Sequence, residues 1–138
     1  MPSKLLTIRG EVFEGCNPVV VARIPTAAGT NLVRGDLNGS SGQEIEFSIY
    51  DLDGDTPGTA IHTGTLNKTA VIFDTLQTDG YWDSEDEFGY NFRHMVTSSQ
   101  LAGDGHRSRI EYGASTSSFG AAKWVAEIDI VGRKDATQ

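Results

Sequence analysis

The residues best suited to chemistry form a short acidic segment with the sequence DLDGD, in which Asp51, Asp53 and Asp55 alternate with other residues. In a loop, alternating carboxylates can converge on one hard cation such as Ca²⁺. The EF-hand pattern fails, because it needs glycine after the third acidic position and glutamate at position twelve, where this chain has histidine. The other interpretation is a hairpin turn in which Asp-Gly supplies a positive φ, followed by a turn at Pro57-Gly58.

A second acidic segment, residues 79–87 with the sequence DGYWDSEDE, contains five carboxylates and two aromatic residues. Aromatic side chains in a loop either cover the end of a core or anchor a partner, since Trp and Tyr dominate interface energetics. The residues we predict for partner binding are Tyr81, Trp82, Asp83 and Glu85. The carboxylates are either solvated or face a cationic partner.

The remaining candidates give no catalytic or cofactor site. His62, His94 and His106 lie far apart and have no acidic motif at metal-ligand spacing, so we assign no metal. His94 alternates with apolar residues, which favours a satisfied core histidine. No G-x-S-x-G nucleophile elbow and no phosphate-binding loop occurs. We therefore predict that the protein is not an enzyme and holds no cofactor.

The elements that must position these residues show a period of two, which is typical of half-buried strands. In the clearest case Ile45, Phe47 and Ile49 alternate with polar residues. The predicted strands are Leu6–Phe13, Pro18–Ile24, Asn31–Arg34, Glu44–Tyr50, Thr69–Asp74, Tyr90–Val96, Arg109–Tyr112 and Ala122–Ile130. Within the first of them, Gly10 predicts a bulge or a close backbone contact.

Short strands separated by Gly, Asn, Asp and Ser favour an all-β fold, a single antiparallel β-sandwich of about eight strands with no substantial helix. Thr97–Ala102 could form one helical turn with Thr97 as its cap. The 138 residues fit one domain, 1–138, in which residues 1–5 and 132–138 are candidate terminal arms.

Composition narrows the range of partners. Against 19 Asp and Glu there are 11 Lys and Arg, a net charge of −8, which argues against nucleic acid or an anionic membrane as the main partner. The single cysteine, Cys16, excludes an intramolecular disulfide framework. Met1–Leu6 lacks the apolar run of a signal peptide, and no stretch reaches the ~20 apolar residues of a membrane span.

Two stretches together suggest a family. Residues 45–52 (IEFSIYDL) are followed by Pro57-Gly58 and by 64–66 (GTL), and residues 71–76 (VIFDTL) are followed by 89–92 (GYNF) and 110–112 (IEY). This layout resembles small immunoglobulin-like or jelly-roll-like β-sandwich proteins encoded among the structural genes of tailed phages. The resemblance covers roughly residues 44 to 131 and rests on strand rhythm, so it transfers no functional residue.

The resemblance implies a non-enzymatic virion structural protein, in particular a capsid decoration (cement) protein that binds neighbouring capsid subunits. Its partners would be capsid or other virion proteins, and the protein would be multi-copy or homo-oligomeric, made in the host cytoplasm and located in the virion. The alternatives are a minor tail protein, or a glycan- or cell-surface-binding module that uses Tyr81 and Trp82, with Ca²⁺ at Asp51, Asp53 and Asp55.

Overall fold

A computed structural model describes residues 6–26, 28–39, 41–78, 89–103, 105–117 and 120–131, including the backbone alone of residues 6 and 7. Strands dominate these ranges, and no helix in them is long and apolar enough to cross a membrane. The strands are Leu6–Phe13 (β1), Val19–Ala22 (β2), Leu37–Asn38 (β3), Ile45–Asp51 (β4), Ala60–Leu66 (β5), Ile72–Gln77 (β6), Tyr90–Met95 (β7), Arg107–Thr116 (β8) and Ala121–Val131 (β9). One short helix, Lys68–Val71 (α1), and the 3-10 turns Arg34–Asp36 and Ser98–Gln100 complete the elements.

The strands form two sheets. The large sheet has the order β1-β9-β8-β4-β5, with β3 paired to β8, and the small sheet has the order β2-β7-β6. The predicted all-β class is confirmed, but one pairing departs from the predicted antiparallel arrangement, because β1 and β9 run parallel. Parallel neighbours need a long connection, and here all the strands between β1 and β9 supply it.

One hydrophobic core lies between the two sheets. Ile45, Phe47 and Ile49 of β4 are buried while Glu46 is exposed, as the alternation predicts. Val20 of β2 and Phe92 of β7 come from the small sheet and join the same buried cluster. Since each sheet has one apolar face, stacking the two faces removes both from water.

Three aromatic rings link the sheets at the centre of the core. Phe92 of β7 meets the rings of Tyr112 (β8) and Trp124 (β9) edge-on, with centroids 4.9 and 5.2 Å away. Tyr112 and Trp124 stack on each other at 5.7 Å with an interplanar angle of 13°. Among the described residues the buried Nε1 of Trp124 has no hydrogen-bond partner, which costs roughly 1–3 kcal/mol. The surrounding apolar contacts must offset that cost.

A buried amide attaches the segment after β2 to the small sheet. The Asn91 side chain accepts a hydrogen bond from Ile24 N at 2.7 Å and donates to Ile24 O and Leu32 O at 2.9 and 2.8 Å. Ile24 O also accepts from Leu32 N, which closes a hairpin around an isolated bridge between Pro25 and Asn31. One fully buried side chain therefore bonds three backbone groups, of which Ile24 N and Leu32 O have this side chain as their partner.

Three sequence-based assignments need correction. Asn31–Arg34 is not a strand, because the chain bends there into the 3-10 turn Arg34–Asp36, where Asp36 accepts a hydrogen bond from Val33 N. Thr69–Asp74 begins in α1 rather than in a strand, since Asn67 caps the helix by accepting from Thr69 N. The predicted helical turn is shorter than predicted, a 3-10 turn at Ser98–Gln100; Thr97 is its N-cap, as predicted, but the Thr97 side chain makes no capping hydrogen bond, and Asn17 accepts from Ser98 N instead.

The prediction for Gly10 is wrong on both counts. The register of β1 on β9 passes through Gly10 opposite Ile128 without a shift, and a Cβ at Gly10 would meet no atom within 4 Å. Gly64 on β5, by contrast, has a close contact, because a Cβ there would lie 2.8 Å from the Phe47 ring. Gly64, which lets the Phe47 ring approach the sheet, is therefore on β5, a strand that the sequence did not predict.

Candidate interaction surface

The predicted partner-binding residues Tyr81, Trp82, Asp83 and Glu85 lie outside the described residues, as do the candidate arms, residues 1–5 and 132–138. Their predicted roles stay predictions. The candidate surface is therefore built from the two sheets and the turns that join their strands.

The DLDGD segment forms a turn after β4, as one interpretation predicted. Both carboxylate oxygens of Asp51 lie 2.9–3.0 Å from His106 Nδ1, and Asp51 also accepts from Asp53 N. Gly54 does not have the predicted positive φ. Glycine is needed there for space instead, because a Cβ would lie 2.9 Å from the Asp51 carboxylate. The next predicted turn is also present, with Thr59 N donating to Thr56 O.

The carboxylates of this turn serve internal contacts. Asp53 accepts from Arg107 N at 2.8 Å, so Asp51 and Asp53 fasten the turn to the beginning of β8, while Asp55 is exposed. Among the described residues, no group of three or more His, Cys, Asp or Glu side chains is arranged to hold a metal ion. The arrangement of Asp51 and Asp53 therefore fits a structural turn.

His94 is a satisfied core histidine, as predicted. Its Nδ1 lies 2.9 Å from the Tyr112 hydroxyl, and its ring contacts Phe47 with centroids 5.0 Å apart. Burial lowers the pKa of His94 to about 4 and raises the pKa of Tyr112 above its usual range, so both groups are neutral at physiological pH. The pair joins β7 to β8 across the core.

The outer face of the large sheet carries a row of ion pairs. Glu127 on β9 receives Arg9 of β1 at 2.9 Å and Arg109 of β8 at 3.1 Å, and Arg109 also contacts Glu111 at 3.0 Å. Opposite charges on neighbouring strands stabilise each other modestly at an exposed site. The charges in this row are therefore paired within the sheet, and the row is suited to solvent.

The outer face of the small sheet, which we call the β2–β7 face, is different. Val19 and Val21 of β2 lie opposite Met95 and Arg93 of β7, and neither strand contains an Asp or Glu. Met95 is 59% exposed, and the Arg93 guanidinium lies over the Phe73 ring, 5.3 Å from its centroid. A hollow of about 240 Å³ lies here, lined by Val19, Ala70, Val71, Arg93, His94 and Met95. An apolar surface with a cationic group is suited to a protein partner.

A larger hollow, of about 340 Å³, borders this face along the side of the molecule. It lies between β1 and β2, which are edge strands of the two different sheets, and Val19 lines both hollows. Its floor includes Ala126 and Ile128 of β9. The β2–β7 face and the free edge of β1 are thus neighbouring features, and the sequence did not predict either of them as a site.

Comparisons with protein-family models, with curated proteins and with solved structures give no significant match.

Proposed function

We propose that this chain is a non-enzymatic virion structural protein, in particular a capsid decoration protein of a tailed phage that binds neighbouring capsid subunits. The observation that carries the proposal is the β2–β7 face, where Val19, Val21 and Met95 form an apolar surface on two strands that contain no Asp or Glu, in a chain of net charge −8. Such a face is suited to adhesion. Many copies on a symmetric shell would add weak contacts into firm binding.

The fold supports the same proposal. Two sheets that share one core agree with the immunoglobulin-like or jelly-roll-like sandwich that the strand rhythm resembles. Asp51, His106 and His94, which were candidates for chemistry, all have hydrogen-bond partners within the fold. Because these side chains bond within the fold, they favour a protein that binds a partner through an apolar surface over one that uses them for catalysis.

The test is co-sedimentation of the purified protein with capsid shells of the virus that encodes it, before and after shell expansion. We expect saturable binding to the expanded shells. A protein that stays in the supernatant with both kinds of shell would contradict the proposal, whatever its oligomeric state.

A pair of matched variants locates the surface. Met95→Glu places a carboxylate on the β2–β7 face and should weaken shell binding about tenfold or more, because burying an unpaired charge is costly. Ile61→Glu makes the same kind of change at an exposed residue of β5, an edge strand of the large sheet, and this variant should bind like the wild type. Equal binding by both variants would exclude the β2–β7 face as the contact.

A further inference from the structure

The strand β1 lies at one edge of the large sheet. In the described part of the chain it pairs with β9 alone, and the hollow between β1 and β2 separates it from the small sheet. Its central residues Arg9, Gly10 and Glu11 are exposed. The backbone N–H and C=O groups on such an edge are a template for another strand, so the natural occupant is an extended backbone.

The residue pattern of β1 is self-complementary about Gly10. Arg9 and Glu11 flank the glycine and lie on the outer face of the sheet, whereas Ile8 and Val12 point inward and pack against the core. In an antiparallel pair of two β1 strands centred on Gly10, Arg9 of each copy lies opposite Glu11 of the other. Ile8 of each copy then lies opposite Val12 of the other, which extends the apolar layer across the junction.

Within the monomer, Arg9 and Glu11 can still form ion pairs with a second molecule. Arg9 contacts Glu127, but its side chain is 71% exposed and its guanidinium has further donors. Glu11 lies opposite Asp129 in the parallel register, and no cation among the described residues pairs with it. A like-charged neighbour is unfavourable for Glu11, and an arginine from another molecule would relieve it.

Gly10 and Phe13 fit the same arrangement. At a two-fold axis a side chain meets its own copy, and Gly10 places no side chain there, so two strands can approach without a clash. Phe13, at the end of β1 on the same face as Arg9 and Glu11, is 56% exposed. Strand pairing would cover part of this ring, which the monomer leaves in water.

We infer that two copies of this chain associate through β1, in an antiparallel strand pair centred on Gly10, so that the two large sheets become one continuous sheet. The interface is isologous, with two Arg9–Glu11 contacts per dimer. This inference concerns self-association and stands apart from capsid binding. A protein that dimerises but binds no shell would support it and contradict the proposed function.

Sedimentation velocity from micromolar to millimolar concentration tests the inference. We expect a wild-type monomer–dimer equilibrium that weakens as ionic strength rises, because the contacts are exposed ion pairs. Glu11→Arg places arginine opposite Arg9 twice per dimer and should raise the dissociation constant about tenfold or more. Glu11→Gln should fall between this variant and the wild type. Glu46→Arg, the same charge change on β4, which is not an edge strand, should dimerise like the wild type.

A mixing experiment gives the sharpest result. Arg9→Glu and Glu11→Arg should each fail to self-associate, but an equimolar mixture should form a heterodimer, because each arginine then faces a glutamate. The double variant R9E/E11R should dimerise like the wild type. Thermal unfolding of each variant confirms that it is folded. If Arg9→Glu does not fold, the dissociation constants of Glu11→Arg and Glu11→Gln test the inference without it. A wild type that is monomeric throughout, a Glu11→Arg variant that dimerises normally, or a mixture no better than its folded components would overturn the inference.

Discussion

In the large sheet, β8 and β9 pair without interruption from Arg107 opposite Asp129 to Ser115 opposite Ala121. In the small sheet, β6 and β7 are in register only at Ile72 opposite Phe92 and Gln77 opposite Tyr90. Long backbone ladders satisfy the polar groups of the first sheet. The second sheet has short strands and leaves more backbone groups for side chains to satisfy.

Side chains of three residues take over that role in the small sheet. Asn91 satisfies the backbone of Ile24 and Leu32, Arg34 donates to Ile72 O and Thr69 O, and Arg23 donates to Gly89 O. In the large sheet the ion pairs of the outer face are partly exposed, and they add to a backbone ladder between β1 and β9 that is already in register. A substitution at Asn91 should therefore be costly, and one in the ion-pair row of the large sheet should be mild.

The largest effect should come from Asn91. Asn91→Leu keeps the approximate volume but leaves Ile24 N and Leu32 O buried without this partner. We expect the free energy of unfolding to fall by about 4 kcal/mol, since each such group costs roughly 1–3 kcal/mol. Chemical denaturation measures it, with Asn38→Leu at an exposed position of β3 as the control. A loss as small as that of the control would show that the Asn91 hydrogen bonds do not stabilise the small sheet.

The second largest effect should be the dependence of stability on pH that arises from His94, which joins the two sheets. The folded-state pKa of His94 is about 4, below its ordinary value of 6.5. Between these values the unfolded chain binds a proton that the folded protein does not. The resulting stability is complete above about pH 6.5 and is lost as pH falls toward 4, with a total of about 3 kcal/mol.

His94→Gln isolates this contribution from that of the carboxylates, because glutamine does not titrate. Its free energy of unfolding should fall less between pH 6.5 and 4 than that of the wild type. If the His94→Gln and wild-type profiles have the same slope in this window, the buried His94–Tyr112 pair does not set the acid stability of the junction.

The smallest effect should come from the ion pairs of the large sheet. Glu127→Gln removes the charge that faces Arg9 and Arg109, and we expect a loss below about 1 kcal/mol that shrinks further in high salt. Glu46→Gln, on the same face but outside the ion-pair row, is the control. A loss for Glu127→Gln that rivals that of Asn91→Leu would reverse the comparison between the sheets.

How well the sequence predicts a strand depends on the alternation of its residues rather than on the sheet to which the strand belongs. In β4, strict alternation of large apolar and polar residues indicates both the strand and its buried face, and β9 alternates in the same way except at Val125, which is also buried. In β5 the alternation involves small or polar residues around Gly64, so the pattern is weak although the strand is present. Thr69–Asp74 is apolar enough for a strand, but the cap at Asn67 starts a helix first.

The Asn91 contacts could not be predicted, because Ile24 and Leu32 are 67 and 59 residues away in the chain. The same holds for the β2–β7 face and for the free edge of β1, since both depend on which strands become neighbours. The self-complementary Ile8–Val12 pattern is visible in the sequence, but it gains meaning only once β1 is known to be an edge strand.

The parallel pairing of β1 with β9 has a consequence for synthesis on the ribosome. Arg9 and Glu127 are separated by 118 residues, so β9 is synthesised on the order of ten seconds after β1. Until β9 is available, β1 has no sheet to join and its edge is not displayed. Assembly through that edge would thus be withheld from unfinished chains and open only to molecules whose large sheet is complete.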